Sequence, residues 1–320
     1  METLRRPPPI PPRTEILRFL GLVLALYIAA AAVAEILVGR QGTNSAFQKI
    51  LAARGSEYDW VVLGASHALP LAFGAVPERL KAETGQSMII LAEVGAGPLY
   101  SDFLLRQALD DLRPRRLLYV ADSFAFRSPR WNEARVADRK LLRKTPLRPS
   151  TLATMGRMAL TEGVPARAVL DYATGFSKLN PPDRFPRDEW RGAEDFDRRF
   201  RPSRHATAAR MDYLHPAPPS PGTTDRYLDL LGDMIMRARA EGVETVVVKL
   251  PVPETFRAAL PDEAAFDSAL RAQLEALGVP LHDLSAALDD PALYFDTDHL
   301  NRDGVAQLYE RFLKPILTGG

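Results

Sequence analysis

Three short blocks of this 320-residue chain carry groups suited to acyl chemistry: Gly64-Ala65-Ser66-His67, Glu93-Val94-Gly95-Ala96-Gly97 and Asp296-Thr297-Asp298-His299. A serine hydroxyl is a poor nucleophile until a base removes its proton in the transition state, and the imidazole of His299 can be that base for Ser66. Asp296 lies three residues before His299. In a turn its carboxylate can reach the ring nitrogen that faces away from Ser66, which fixes the tautomer and stabilises the imidazolium. Asp298 is a rival for that role, but adjacent side chains point apart, which favours Asp296. The backbone N–H of Ser66, and that of Gly95 with no side chain in the way, are the expected donors to a tetrahedral oxyanion. The chain has no cysteine, which removes disulfides, thiolate zinc sites, iron–sulfur clusters and Cys nucleophiles together.

These blocks fall where strands and helices meet. The apolar run Tyr58 to Gly64 reads as a buried strand ending just before Ser66. Further strands are predicted at 87–92, 116–121, 243–250 and 279–283, with helices at 76–84, 101–112, 224–241, 262–277 and 302–317. In the helix at 101–112, Phe103, Leu104, Ala108 and Leu112 share one face. Strands alternating with helices predict an α/β fold: a flavodoxin-like three-layer sandwich around a parallel sheet of about five strands, with a long insertion after strand three, at 123–223. Such sheets bind ligands beyond the C-terminal ends of their strands, where the Ser and Gly blocks lie.

The N-terminal part is of another kind. Residues 1–18 form a Pro- and Arg-rich head containing Arg5, Arg6, Arg13 and Arg18, and residues 19–38 are an apolar run with a single charge, Glu35. Twenty such residues suffice to span a bilayer as a helix, and the basic flank favours a cytoplasmic N-terminus. A cleaved secretory signal is the rival, with Ala32-Val33-Ala34 as cleavage-like spacing, but the run exceeds the usual 7 to 15 residues. The expected organisation is a transmembrane helix at 19–38, a linker at 39–55 and an exported domain at 56–320. This places a single-pass protein in the inner (cytoplasmic) membrane, its domain periplasmic or otherwise extracytoplasmic. Lys and Arg total 41 against 40 Asp and Glu, a net charge of +1, so there is no global field for a polyanion and nucleic acid is not an expected partner.

On Val61 to His67, Ile89 to Gly97 and Asp296 to His299, taken in order, the chain resembles the SGNH or GDSL-type hydrolases over about residues 56 to 318. With the N-terminal span it is similar to the bacterial envelope branch of that family, which includes alginate acetylation proteins and the D-alanyl transfer protein of teichoic acid modification. The resemblance implies a Ser66-His299-Asp296 triad acting on esters of cell-envelope polysaccharide. It implies no cofactor, and an acylated envelope glycan, the membrane and a membrane-bound acyltransferase as partners. Two positions depart from the family pattern: Ala65 stands where Asp is common, and Ala121-Asp122-Ser123-Phe124 follows strand three where a Gly and an oxyanion-binding Asn are usual. An ionised Asp122 cannot donate, so Ser123, the more distant Asn132 or nothing replaces that donor.

His67, Trp131 and Trp190 are candidate substrate contacts, although His67 is equally suited to packing at a helix start. The insertion carries Arg127, Arg130, Arg135, Arg139 and Arg143, then Arg187, Arg191, Arg198, Arg199, Arg201 and Arg204, interleaved with aromatics. That pattern fits a glycan-binding lid, or equally a solvated face, since Asp183, Asp188, Glu189, Glu194, Asp195 and Asp197 nearly balance the second cluster. His205, His215 and His282 are too scattered for a metal site. Two functions stay open: an anchored Ser esterase or O-acyltransferase, and a catalytically weak or inactive envelope protein that binds glycan or a membrane acyltransferase.

Overall fold

The computed structural model describes residues 13–40, 42, 45–180 and 190–319. Five strands, β1 (Glu57–Gly64), β2 (Met88–Ile90), β3 (Arg113–Val120), β4 (Glu244–Lys249) and β5 (Leu281–Asp283), form one parallel sheet in the order β2-β1-β3-β4-β5. Successive side chains of a strand point to opposite faces, and β1 shows the result. Val61 and Leu63 enter one core while Trp60 and Val62 enter the other. This is the doubly wound α/β sandwich that the alternating pattern predicts.

Helices on both faces of the sheet position the site or extend its cores. Helix α1 (Arg13–Arg40) is the N-terminal segment and α2 (Ala46–Ala52) follows it. Helix α3 (Val76–Thr84) packs on the Trp60/Val62 face through Val76 and Leu80, and α4 (Pro98–Asp111) on the opposite face through Phe103 and Leu104. Helix α4 starts three residues earlier than the apolar pattern indicates, because Pro98 suits a first helical turn, where its missing N–H has no intrahelical partner to lose.

Between β3 and the next long helix the described residues of the insertion hold helical segments of up to 13 residues. Among them are α5 (Arg139–Lys144), α6 (Pro149–Thr161), α7 (Ala166–Thr174) and α8 (Phe176–Leu179), and Leu142, Met155, Met158 and Tyr172 from these extend the Val61/Leu63 core. The insertion closes with α9 (Arg204–Leu214), and the regular pattern resumes with α10 (Thr223–Ala240) and α11 (Glu263–Leu277). The last helix is not continuous over 302–317. It is α12 (Arg302–Leu308), then a π turn at Tyr309–Leu313 and a last turn at Lys314–Thr318. The interruption falls just ahead of Pro315, whose missing N–H cannot continue the α pattern.

The expected linker at 39–55 contains α2. Ser45 caps it by accepting the Gln48 N–H (3.3 Å), Ile50 is fully buried, and the Phe47 ring lies 4.7 Å from Phe103 on α4. A seven-residue helix has too few turns to show periodicity, so its burial was not readable from pattern alone. Helix α1, with mean hydropathy 2.4 over its most apolar window, is long and apolar enough to cross a membrane.

Since α2 is packed into the main core, Phe47→Ala should destabilise the whole fold by roughly 3 kcal/mol. An unchanged denaturant midpoint would show that α2 is merely a tether.

Candidate active site

The end of β1 sets the nucleophile position. Gly64 has φ of +147°, and a Cβ there would stand 2.8 Å from the Val120 Cβ and 2.9 Å from the Val120 carbonyl oxygen. Only glycine lets β1 and β3 close to this distance in this conformation. The chain then turns into a short 3-10 segment, Ser66–Ala68, which leaves Ser66 buried at the C-terminal edge of the sheet.

There Ser66 Oγ is 2.9 Å from His299 Nε2, and His299 Nδ1 is 2.9 Å from each carboxylate oxygen of Asp296. With Nδ1 directed at a carboxylate, that nitrogen carries the proton and Nε2 turns its lone pair to the Ser66 hydroxyl. Asp296 is held in turn: its Oδ1 accepts the N–H groups of Asp298 (3.0 Å) and His299 (2.8 Å), an Asx turn that closes the Asp-x-x-His loop. Asn301 completes the loop by capping α12 through Gly304 N–H, while its Nδ2 donates to the carbonyls of Arg198 and Ala292. Aromatic rings flank the imidazole. Phe295 stacks on it at 5.6 Å and 12°, and half-buried Trp190 lies 4.9 Å away.

Asp298 serves a different neighbour. Its Oδ1 is 3.6 Å from His299 Nδ1, while its Oδ2 meets His67 Nε2 (3.1 Å) and the Arg210 guanidinium (2.7 Å from Nη2). His67 Nδ1 is in turn 2.6 Å from Asp122 Oδ1. Burial alone lowers a histidine pKa, but Asp122 and Asp298 on either side outweigh it and push His67 up to about 10. For Asp298, burial alone would raise the carboxyl, and the charges of Arg210, His299 and His67 instead hold it well below the usual carboxylate range. A charged chain Asp122-His67-Asp298-Arg210 thus runs behind the Ser66-His299-Asp296 set.

Several expected site residues take other places. Both ring nitrogens of His67 are engaged by carboxylates, so it is not a free hydrogen-bonding contact for substrate. Trp131 is buried, donating to the Leu214 carbonyl (3.1 Å) and packing edge-on to Phe124, so it braces the core and does not face substrate. Asn132 is fully buried, its Nδ2 donating to the carbonyls of Ala125 (2.8 Å) and Ser128 (3.1 Å) and its Oδ1 accepting the Leu99 N–H. With both amide donors spent, it is not an oxyanion donor. Gly95 has φ of +67°, and a Cβ there would meet the Trp131 ring at 2.7 Å, so this position is glycine because the indole lies on it. Ser123 lines a cavity of about 190 Å³ with His67, Asp122, Phe124 and Phe256.

The insertion arginines are largely paired: Arg127 with Asp262, Arg135 with Asp138, Arg139 with Asp171, Arg191 with Glu194, Arg198 with Asp195 and Arg199 with Asp303. Arg5, Arg6, Asp183, Arg187, Asp188 and Glu189 lie outside the described residues. His67, Asp298 and His299 also gather near enough for a cation, but Arg210 and the His67 imidazolium already balance the charge there. Arg210 and the role of Asp122 were missed from sequence. Arg210 is 88 residues from Asp298, and no spacing rule joins them.

No protein-family model matches the chain, and no curated protein matches it. Among solved structures it is similar to a protein assigned as an acylhydrolase from Bacteroides fragilis NCTC 9343, with 11% identity, a TM-score of 0.44, and 85% of this chain and 94% of that one covered. It is also similar to a GDSL-like lipase from Bacteroides thetaiotaomicron VPI-5482, with 9% identity, a TM-score of 0.40, and 81% and 87% of the two chains covered. With TM-scores below 0.5, these likenesses say nothing about the site, which stands on its own geometry.

A histidine whose pKa is raised on folding stabilises the fold fully below its unfolded pKa and loses that contribution as pH rises through the folded value. For His67 the window runs from about 6.5 to about 10. The stability gap between the native chain and His67→Gln should therefore be widest below pH 6.5 and narrow steadily up to pH 10, measured as paired thermal midpoints. A gap independent of pH would mean that folding leaves the His67 pKa where it is in the unfolded chain, and a gap that closes as pH falls below 6.5 would mean that His67 is buried neutral.

Proposed function

We propose that this chain is a serine esterase or O-acyltransferase of the SGNH or GDSL kind, anchored by α1 and acting on short acyl esters, acetyl foremost, of cell-envelope polysaccharide. The observation that carries the reading is the continuous Asp296–His299–Ser66 hydrogen-bond chain at the C-terminal edge of a parallel sheet. Supporting it, Ser66 is set by the turn after the first strand and the His loop precedes the last helix. The anchor and export reading draws on the length and apolarity of α1, with Arg13 and Arg18 at its N-terminal end. A membrane-bound acyltransferase would be the source or recipient of acyl groups.

In this reaction Ser66 Oγ attacks the ester carbonyl carbon while its proton passes to His299 Nε2, and Asp296 stabilises the imidazolium. The oxyanion is held by the backbone N–H groups of Ser66 and Gly95. Collapse expels the alcohol, which takes the proton from His299 and leaves an acyl-Ser66. Water or a sugar hydroxyl then gives its proton to His299 as it attacks the acyl carbon, and collapse of that intermediate breaks the bond to Ser66, whose oxygen takes the proton back from His299. Trp190, Phe295 and Phe73 form an apolar wall beside the ring for the incoming group.

One observation favours a second reading, a weakly active protein whose main work is binding. Asn132 is spent on backbone carbonyls and Asp122 on His67, so neither supplies a third oxyanion donor. Loss of one such donor costs about 10²- to 10³-fold in kcat.

Two measurements decide between them. The full chain in detergent should release p-nitrophenol from its acetate ester and take a fluorophosphonate label on Ser66. Ser66→Ala should abolish both, and Asp296→Asn should lower kcat on the order of 10⁴-fold. Absence of labelling in the native chain would favour the binding role.

A further inference from the structure

Helix α1 does not stand free of the rest of the chain. The Tyr27 hydroxyl donates to the Thr174 carbonyl (3.1 Å), and Ala31 lies against Gly175. Glu35 is paired with Lys178 and accepts the Leu147 N–H (2.7 Å), while Gln48 Nε2 donates to the Val38 carbonyl (2.8 Å). One flank of the helix, from Tyr27 to Glu35, is therefore held against the insertion, and Val38 against α2. At 1.5 Å per residue, Tyr27 sits roughly 12 Å further along the helix axis than Glu35, toward the N-terminus. A bilayer's hydrocarbon core is about 30 Å thick and takes about twenty residues to cross, which is the whole run from Phe19 to Val38. The contacts at Tyr27 and Ala31 lie inside that run. A surface that holds them there enters the bilayer with the helix.

That surface is apolar. On α7 the outward residues Ala166, Leu170, Ala173 and Thr174 share one helical face and carry no charge, whereas Ala168 and Tyr172 fill the core behind. Leu170 is 66% exposed, and Phe176, next to the Gly175 that meets Ala31, is 44% exposed. A helix face turned to water ordinarily carries charged residues. The charge beside it is mostly paired: the Arg139 guanidinium lies over the Phe176 ring (5.1 Å) and is bonded to Asp171 (3.0 Å), while Arg167 is exposed. Long arginine side chains can lay their stems along acyl chains while their heads reach toward the headgroups.

We propose that the outward face of α7 and α8, centred on Leu170 and Phe176, is seated in the lipid bilayer beside α1, at about the depth of Tyr27. The occupant is lipid, because the register of α1 puts this face at the level of acyl chains. The proposal rests on the reading of α1 as a membrane span.

The absence of cysteine makes the test direct, since one introduced thiol is the only one in the chain. The full chain, reconstituted alone in nanodiscs of phosphatidylcholine and phosphatidylglycerol with a nitroxide-labelled lipid, would carry a bimane at Leu170→Cys, at Val23→Cys on α1, or at Glu275→Cys on α11. Bimane at 170 and at 23 should lose roughly half or more of its emission, as expected of groups held among acyl chains, while that at 275 keeps it. Ala173→Cys gives a second report should the leucine be needed for folding. Quenching at 23 with 170 and 173 matching 275 would overturn the seated face and leave the span standing. No quenching at 23 would overturn both.

Discussion

The carboxylate of Asp298 is the point on which the arrangement of this molecule depends. It lies in the Asp-x-x-His loop, yet it binds His67 beside the nucleophile and Arg210 from the insertion, and His67 carries the connection on to Asp122 at the end of β3. Four segments distant in sequence, two strand ends, the His loop and α9, are thereby joined through alternating charges. Removing one partner from a buried ion pair typically costs 3–5 kcal/mol, because the other charge is left without water or counter-ion. The loop that presents His299 to Ser66 is thus fixed from behind by charge and from the front by the Asx turn of Asp296. The insertion, through Arg210, becomes part of what holds the reacting groups in register.

The parallel five-stranded sheet, the helical faces and the place of Ser66 after the first strand were legible because they follow from local periodicity and from one rule about parallel sheets. Adjacent side chains diverge, as the spacing suggests: Asp296 meets His299 Nδ1 while Asp298 turns its other oxygen to His67. The donor role considered for Asn132 was not decidable from type and spacing, since nothing local says that an amide will be consumed by carbonyls four and seven residues before it. Trp131 shows the same limit, because an exposed stacking platform and a buried brace have identical sequence signatures. Asp122 looked like a defect at the position of an oxyanion donor. It is the anchor of His67, a pairing between strand ends that only the fold brings together.

The N-terminal segment adds a second coupling. Composition separates it from the domain, but α2 packs its phenylalanine on α4, and Glu35 on α1 reaches Lys178 and the backbone of Leu147. The boundary between anchor and domain is therefore a packed joint. Rotation of the domain about α1 would break an ion pair and three hydrogen bonds together.

The flanking of the His299 ring has a directional consequence. Phe295 stacked on it and Trp190 beside it block rotation about the bond that carries the imidazole. A ring that cannot turn must hand back a proton along the edge by which it received it. In the proposed reaction the departing alcohol and the incoming acceptor would then share a single doorway at Nε2, and the second could enter only after the first had gone. Such a site works by strict alternation, so an alcohol that lingers would itself hold the acyl group in place and favour its own re-esterification.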